Sequence, residues 1–252
     1  MEINLNEFKA LKVSFKDKIC RIQFNRPESK NTIDSQTVIE LTKILNYCED
    51  KMNIVVLEGN DEVFCFGADF KQESSSDSKK REPGVLYDLW KKLACGSFVS
   101  IAYVKGRANA GGMGFVAASD IVIAGENAMF SLSELLFGLY PAMVMPFLIR
   151  KIGFQKAKYM ALTTKPVNVQ TAFEWGIVEA FGPKSDMILG QHLARLTKIP
   201  KSAVVAYKNY MNKLDLSIEN LESVAVSENL KMFSDKENME RISQFTNTGQ
   251  IL

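Results

Sequence analysis

The chain has 252 residues, of which 46% are hydrophobic, 24% charged and 10% aromatic. These proportions are typical of an ordinary globular protein, and the length is enough to bury a sizeable core without disulfides or metals. Lysine and arginine number 31 against 29 aspartates and glutamates, which leaves a formal net charge of +2. That near balance argues against bulk binding to nucleic acid or to a membrane surface.

Cysteine and histidine are too few and too scattered to predict a metal centre. The cysteines are Cys20, Cys48, Cys65 and Cys95, and the histidine is His192. Because there is no C-x-x-C pair and no secretory signal, we expect free thiols, no metal ion and a cytoplasmic protein. No apolar run approaches the roughly 18 residues of a membrane span. The absence of a G-x-S-x-G motif argues against a Ser-His-Asp hydrolase.

Hydrophobic periodicity predicts strands that alternate with helices. Period-two alternation over residues 10–25 predicts a β-hairpin. Residues 71–82 contain no apolar side chain, so we expect a solvated, mobile loop there. From residue 199 onward the pattern is all-helical. Helices are also predicted over 32–47, 87–93, 111–118, 145–162 and 169–175, and strands over 54–59, 98–104 and 121–124. This alternation favours βαβ units and parallel strands.

Two loops rich in small residues follow predicted strands and open helices. The first spans residues 64–70 and the second spans residues 108–114. Small residues let a backbone approach a ligand closely, and helix N-termini leave N–H groups unpaired. Two such N–H groups aimed at one point would form an oxyanion hole. The alternative is that each loop is only a tight turn into a helix.

A dinucleotide-binding fingerprint also occurs in the second loop. Gly112, Gly114 and Ala117 fit the G-x-G-x-x-A pattern, and Glu134 lies twenty residues beyond Gly114. The fingerprint requires its first glycine at the turn from strand to helix, whereas here residues 105–111 intervene. The spacing therefore argues against a Rossmann dehydrogenase.

Several short motifs occur in order over nearly the whole chain. They are Phe24-Asn25-Arg26-Pro27, Gly67-Ala68-Asp69, Asn109-Ala110-Gly111-Gly112, Ala118-Ser119-Asp120-Ile121, Phe130 to Glu134, Gly138-Leu139-Tyr140-Pro141 and Ala172 to Val178. As an ordered set they resemble the enoyl-CoA hydratase (crotonase) superfamily. The resemblance implies an α/β fold in which a spiral of ββα units over residues 1–198 precedes a helical oligomerisation region over 199–252. It also implies a homotrimer or a dimer of trimers.

The same resemblance implies roles for individual residues. The backbone N–H groups of Ala68 and Gly111 would form the oxyanion hole for a thioester carbonyl. Ordinary hydratases of the superfamily carry two catalytic glutamates. The first corresponds to Gly114 here and is therefore lost, whereas the second corresponds to Glu134 and is kept. Water addition by two carboxylates is in doubt for this chain.

Within the superfamily, residues 63–70, 86–90 and 131–141 resemble the dehydratases of polyketide β-branching cassettes. This implies dehydration of 3-hydroxy-3-methylglutaryl to 3-methylglutaconyl on the phosphopantetheine arm of an acyl carrier protein, with no other cofactor. Alternatives are the companion decarboxylase, another acyl-CoA hydratase or isomerase, and a non-catalytic scaffold. The decarboxylase is expected to lack the glutamate at Glu134 and to use a C-terminal histidine, and residues 233–252 contain none.

Further candidates would bind the substrate or its carrier. The substrate-binding candidates are Asp69, Asn109, Gly112, Tyr87 and Tyr140. Each has a plainer interpretation, which is a helix N-cap for Asp69, backbone bonding in a turn for Asn109 and packing for the tyrosines. The carrier-docking candidates are Lys79, Lys80 and Arg81. Carrier proteins are acidic, so a basic cluster near the tunnel mouth would attract them.

Overall fold

The fold is taken from a computed structural model, which describes residues 4–70 and 83–249. The strands are β1 Leu11–Lys16, β2 Ile19–Phe24, β3 Ile54–Glu58, β4 Val63–Cys65, β5 Val99–Val104, β6 Arg107–Asn109, β7 Ile121–Gly125, β8 Met129–Ser131, β9 Val167–Asn168 and β10 Ala180–Gly182. The helices are α1 Ser35–Lys51, α2 Pro83–Cys95, α3 Gly111–Ala118, α4 Met145–Ile152, α5 Phe154–Thr163, α6 Val169–Trp175, α7 Ser185–Leu196, α8 Lys201–Leu214, α9 Ser217–Ser234 and α10 Lys236–Thr248. Short 3-10 helices span Leu5–Glu7, Pro27–Ser29 and Glu134–Phe137.

Two sheets organise these elements. The larger has the order β1-β2-β3-β5-β7-β10, and the smaller has the order β4-β6-β8-β9. In the larger sheet only the β1–β2 pair is antiparallel, as predicted for a hairpin over residues 10–25, and the remaining pairs are parallel. In the smaller sheet β4, β6 and β8 run parallel. The α/β class predicted from the sequence is confirmed.

Strand β3 shows why the larger sheet is buried on both faces. Its residues Ile54, Val55, Val56 and Leu57 are all buried. Successive side chains of a strand point to opposite faces. Val55 and Leu57 accordingly join the main hydrophobic core, whereas Ile54 and Val56 pack in a second cluster with Leu189 of α7. A continuous apolar run of this kind is typical of a parallel strand covered on both sides.

Helix boundaries depend on local capping. The predicted helix over 32–47 is observed as α1, because the side chain of Asp34 accepts a hydrogen bond from Thr37 N–H over 2.7 Å and caps its N-terminus. The single helix predicted over 145–162 is wrong, since the structure has two helices there. Gly153 separates them with a φ of +80°, a left-handed backbone that interrupts helical hydrogen bonding.

The C-terminal region is helical, as predicted from residue 199 onward. Tyr87 of α2 donates a hydrogen bond to Ile218 O of α9 over 2.6 Å, so α9 lies directly on the core. Helix α10 packs against the 3-10 helix Glu134–Phe137, where the Phe137 and Phe245 rings are 4.9 Å apart. The oligomerisation role expected for residues 199–252 stays a prediction. Within residues 4–70 and 83–249, no helix is both long and apolar enough to cross a membrane.

Candidate active site

The two loops rich in small residues meet at one edge of the smaller sheet. Strands β4 and β6 are parallel neighbours, and the loops follow their carboxyl ends. The contact is very close, because a Cβ atom added to Gly67 would lie 2.8 Å from Gly111 N, and Gly67 has a φ of +87°. A Cβ atom on Gly111 would lie 3.7 Å from Ala68 N. The tertiary structure thus brings the N–H groups of Ala68 and Gly111 together.

The backbone hydrogen bonds next to Ala68 and Gly111 use neither of their N–H groups. Ile33 N–H donates to Gly67 O over 2.7 Å and Asp69 N–H donates to Ile33 O over 3.2 Å. These two bonds flank Ala68, so the bridge between Ile33 and Ala68 does not use Ala68 N–H. Gly111 is the first residue of α3, where an N–H has no partner within the helix. Two such donors in contact can bind a carbonyl oxygen that gains negative charge.

The backbone just before Gly111 is strained and held in place. Ala110 has a φ of +49°, a region that residues with a Cβ rarely adopt. Its N–H donates to Ser131 O over 3.0 Å, and its carbonyl accepts from Met113 N–H over 2.8 Å. These bonds pin the turn that presents Gly111. Strain of this kind persists where the surrounding structure enforces it, and it is concentrated at functional sites.

Gly112 has a packing role that the sequence analysis did not anticipate. A Cβ atom added there would lie 2.1 Å from the carbonyl oxygen of Cys65. The residue is buried against the backbone at the end of β4. Its glycine therefore permits α3 to approach β4, which is a different role from the substrate contact expected.

Asn109 connects the second loop to the segment that carries Glu134. Its Nδ2 donates to Ser133 Oγ over 2.9 Å, and its Oδ1 accepts from Ser131 Oγ over 2.7 Å. Ser131 ends β8, the parallel neighbour of β6, and Glu134 opens the next 3-10 helix. Asn109 therefore bonds to the segment that leads into Glu134, and its predicted contact with substrate stays a prediction. Its amide groups are engaged with these two serines.

Glu134 carries a carboxylate in a desolvated position. The residue is half-buried as a whole, but its Oε2 is fully buried and has no hydrogen-bond partner among the described residues. Burial raises the pKa of Glu134 to about 7, whereas hydrogen bonds from the backbone N–H groups of Glu134 and Ser133 act in the opposite direction. A carboxyl group with a pKa near neutrality can both accept and return a proton.

Asp69 is tied into the protein rather than left free. Its Oδ2 accepts from Thr32 Oγ1 over 3.0 Å and from Arg26 over 3.3 Å, and Arg26 also pairs with Asp34 over 3.1 Å. This network joins the loop that contains Ala68 to the hairpin end and to the N-terminus of α1. The sequence analysis assigned Arg26 no role. The sequence marked Arg26 only by its place in the motif Phe24-Asn25-Arg26-Pro27, at the end of the predicted hairpin.

The two tyrosines expected near the substrate bind protein groups instead. Tyr87 is completely buried, its hydroxyl donates to Ile218 O, and its ring lies 4.9 Å from that of Phe147. Burial raises its pKa. Tyr140 donates its hydroxyl to Glu228 of α9, which raises the pKa of Tyr140 to about 12. Both hydroxyls thus have protein acceptors in the described structure, and substrate binding by either tyrosine stays a prediction.

The basic cluster lies outside the described residues. Lys79, Lys80 and Arg81 fall within the segment 71–82, for which the structure describes nothing. The expected mobility of this loop and its docking role stay predictions.

Trp90 is a neighbour of Gly114 to which the sequence analysis assigned no role. A Cβ atom added to Gly114 would lie 2.2 Å from Cζ2 and 2.3 Å from Cε2 of Trp90. The indole of α2 thus fills the space that a side chain at position 114 of α3 would take. The sequence shows Gly114 at the position of a family glutamate. Nothing in the sequence connects Gly114 with Trp90, which lies on another helix.

Comparisons with known proteins show the family of this chain. A family model described as enoyl-CoA hydratase/isomerase matches residues 14–250. The bacillaene synthase dehydratase PksH of Bacillus subtilis (strain 168) is 48% identical over 256 aligned residues, which cover 99% of this chain and 98% of that protein. The 2,3-dehydroadipyl-CoA hydratase of Escherichia coli (strain K12) is 27% identical over 225 residues, 88% of each chain.

Solved structures give the same result. A crystal structure of a polyketide biosynthesis enoyl-CoA hydratase (pksH) from Bacillus subtilis superimposes with a TM-score of 0.93 at 48% identity, covering 97% of this chain and 100% of that one. An enoyl-CoA hydratase from Bacillus halodurans superimposes with a TM-score of 0.85 at 19% identity, covering 94% of this chain and 100% of that one. The second likeness concerns the fold alone.

Proposed function

This chain belongs to the enoyl-CoA hydratase/isomerase family and is a hydro-lyase similar to a bacillaene synthase dehydratase; on that premise we propose that it dehydrates 3-hydroxy-3-methylglutaryl carried on an acyl carrier protein. The product is 3-methylglutaconyl on the same carrier. The observation that carries the proposal is the buried carboxylate of Glu134, with its pKa raised to about 7, in a site whose other family glutamate is replaced by Gly114.

The oxyanion hole makes the first step accessible. Dehydration removes a proton from C2, and the electron pair left behind moves onto the thioester oxygen. The N–H groups of Ala68 and Gly111 hold that oxygen as its charge develops. Each donor is expected to lower the barrier by about 3 kcal/mol, by analogy with deletions of single oxyanion-hole donors.

Glu134 moves the proton. Its carboxylate takes the proton from C2 and becomes a carboxylic acid. The enolate electrons then form the C2–C3 double bond as the C3–O bond breaks, and Glu134 returns the proton to the departing oxygen, which leaves as water. The glutamate ends as a carboxylate, so one residue serves as base and acid. Because one group handles both positions, the elimination is syn.

An acyl carrier protein is the proposed partner. The relative PksH is named for a synthase that makes bacillaene, and synthase intermediates travel on carrier proteins. The phosphopantetheine arm brings the thioester to the oxyanion hole, and no cofactor of the enzyme itself takes part. Lys79, Lys80 and Arg81 are proposed to attract the acidic carrier surface.

We also infer assembly into a trimer or a dimer of trimers in the cytoplasm. Large apolar side chains are exposed on α8, including Tyr207 at 62% and Leu214 at 62%. Exposed apolar patches of this kind mark association surfaces. The chain mass is 28.3 kDa, and light scattering at micromolar concentration is expected to give the mass of a trimer or of a dimer of trimers. A stable monomer would contradict the assembly.

The decisive experiment is intact-mass analysis of a carrier protein loaded with 3-hydroxy-3-methylglutaryl. Loss of one water in the presence of the enzyme supports the dehydratase. A second sample of carrier is loaded with 3-methylglutaconyl. Loss of carbon dioxide from that sample, with no loss of water from the hydroxyacyl carrier, supports the decarboxylase instead, and tight binding without any mass change in either sample supports a scaffold. Glu134→Gln should remain folded but lose at least ~100-fold of the dehydration rate. Glu126→Gln, at an exposed carboxyl, is the matched control.

A further inference from the structure

Trp90 is buried in an aromatic cluster, and its polar atom has no partner. The side chain is 1% exposed, and its ring makes T-shaped contacts with Phe115 at 5.8 Å and Phe147 at 5.9 Å between centroids. Its Nε1 is buried and has no hydrogen-bond partner among the described residues. Buried indole N–H groups ordinarily find an acceptor, because leaving one unpaired costs free energy. The Nε1–H group is therefore free to donate to an acceptor on a bound ligand.

The indole lies one helical turn from the oxyanion hole. Gly111 and Gly114 are three residues apart on α3, and residues at that spacing share a helix face. The Cε2 atom of Trp90 would be 2.3 Å from a Cβ atom on Gly114, and Cε2 is bonded to Nε1. The six-membered ring of the indole thus occupies the place where a side chain of residue 114 would leave the helix, and Nε1 lies one bond away from its Cε2 atom. That place corresponds to the carboxylate that two-glutamate hydratases have and this chain lacks.

The chemistry of the surroundings selects the acceptor. The substrate offers its thioester oxygen, its 3-hydroxyl and its distal carboxylate. The thioester oxygen is held by Ala68 and Gly111. A carboxylate placed between Phe115 and Phe147 would lose its hydration with only a neutral donor in return, which is unfavourable. A hydroxyl is neutral, and one donor is enough to compensate its burial.

We propose that Trp90 Nε1–H donates a hydrogen bond to the 3-oxygen of the bound 3-hydroxyacyl thioester and holds it as the C3–O bond breaks. An indole N–H donates a hydrogen bond but gives up no proton near neutral pH, so Glu134 still performs the proton transfer. Trp90 and Gly114 together replace the missing glutamate with an aromatic donor. This inference rests on the proposed dehydration, because it names the group that binds the leaving oxygen.

Two ligands that differ only in the hydroxyl test the contact. In 15N-labelled Glu134→Gln, which holds the substrate without turnover, the pantetheine thioesters of 3-hydroxy-3-methylglutarate and of 3-methylglutarate are titrated separately. The chain has two tryptophans, Trp90 and Trp175, so Trp175→Phe assigns the Trp90 indole signal without altering Trp90. The Trp90 N–H signal should move downfield with the hydroxy ligand and stay in place with the deoxy ligand.

Affinities give an independent measure. Trp90→Phe keeps an aromatic ring and removes the donor, so it should weaken binding of the hydroxy ligand about 10-fold and change binding of the deoxy ligand less than 2-fold. Trp175→Phe is the matched control and should change neither. Equal losses for both ligands would overturn the proposal. If Trp90→Phe does not fold, the indole signal decides alone, and an unshifted signal with bound hydroxy ligand overturns it.

The outcomes separate this inference from the function it rests on. A shifted Trp90 signal together with no loss of water in the mass assay would overturn the dehydratase proposal while leaving the hydroxyl contact intact. Loss of water with an unshifted signal would overturn the Trp90 role alone. Failure of the protein to bind either thioester would overturn both.

Discussion

Asn109 Nδ2 donates to Ser133 Oγ over 2.9 Å, and this bond links the two halves of the candidate site. Asn109 stands two residues before Gly111, and Ser133 stands immediately before Glu134. The oxyanion donor and the carboxylate therefore come from different segments, and this side-chain bond joins them in addition to the backbone bond from Ala110 N–H to Ser131 O. A displacement of about 1 Å between such groups is enough to slow a reaction strongly.

Asn109→Ala is accordingly expected to lower kcat at least 10-fold while KM changes less than about 3-fold, because the thioester is still gripped but Glu134 is displaced. Steady-state kinetics with the carrier-bound substrate measures both constants. Gln170→Ala removes an exposed amide that bonds only to Glu174 in the described structure and should change neither. A rise in KM with unchanged kcat would show that Asn109 binds substrate instead of positioning the carboxylate.

The raised pKa of Glu134 predicts a specific pH dependence of stability. Its pKa is about 7 in the folded chain against an ordinary value of 4.5, so the unfolded chain releases this proton at lower pH. The contribution of Glu134 to the free energy of unfolding should therefore be highest below about pH 4.5 and should fall as the pH rises to about 7. The difference amounts to about 3 kcal/mol. Glu134→Gln removes this pH-dependent difference, because glutamine does not titrate.

Urea denaturation of wild type and Glu134→Gln checks this at two pH values. Near pH 5 the two unfolding free energies should differ much less than at pH 8, where the variant should be more stable by up to about 3 kcal/mol. A difference that stays constant between these pH values would mean that the carboxyl group titrates normally in the folded protein.

Gly114→Ala should destabilise the protein by about 1–3 kcal/mol, because the new methyl group overlaps a buried ring that has no room to move. The new methyl carbon would lie 2.2 Å from Trp90 Cζ2. Gly190→Ala provides the control in α7, since an added Cβ there meets nothing within 4 Å. That change should leave stability unchanged or raise it by up to about 1 kcal/mol. Equal unfolding free energies for wild type and Gly114→Ala would refute the tight fit of Trp90.

Charge reversal at Lys79, Lys80 and Arg81 tests carrier docking. The triple glutamate variant should lower kcat/KM for carrier-bound substrate at least several-fold, and more strongly at low salt, because steering of an acidic partner is screened by ions. With the small pantetheine thioester the same variant should match wild type. Equal effects on both substrates would remove docking as the role of this cluster.

Much of the site follows from local sequence patterns. The two loops could be predicted because glycine and alanine after a strand allow a tight turn and a close approach of the backbone, which are local properties. Parallel strands also end at the same edge of a sheet. The hairpin over 10–25 and α1 follow from periodicity and capping, which are also local. The loss of one glutamate at Gly114 and the retention of Glu134 follow from the resemblance of the motifs in this chain to those of the superfamily.

The tertiary structure alone decided how distant groups meet. Tyr87 was a reasonable donor for substrate by its residue type, yet α9 covers it and supplies Ile218 O as acceptor. Trp90 reaches Gly114 only because α2 packs on α3, and no periodicity links two residues on separate helices. The pKa of Glu134 depends on the burial of its carboxyl group in the folded chain. Desolvation and packing are properties of the assembled core, which is why the chain alone could name the carboxylate but could not predict its proton affinity.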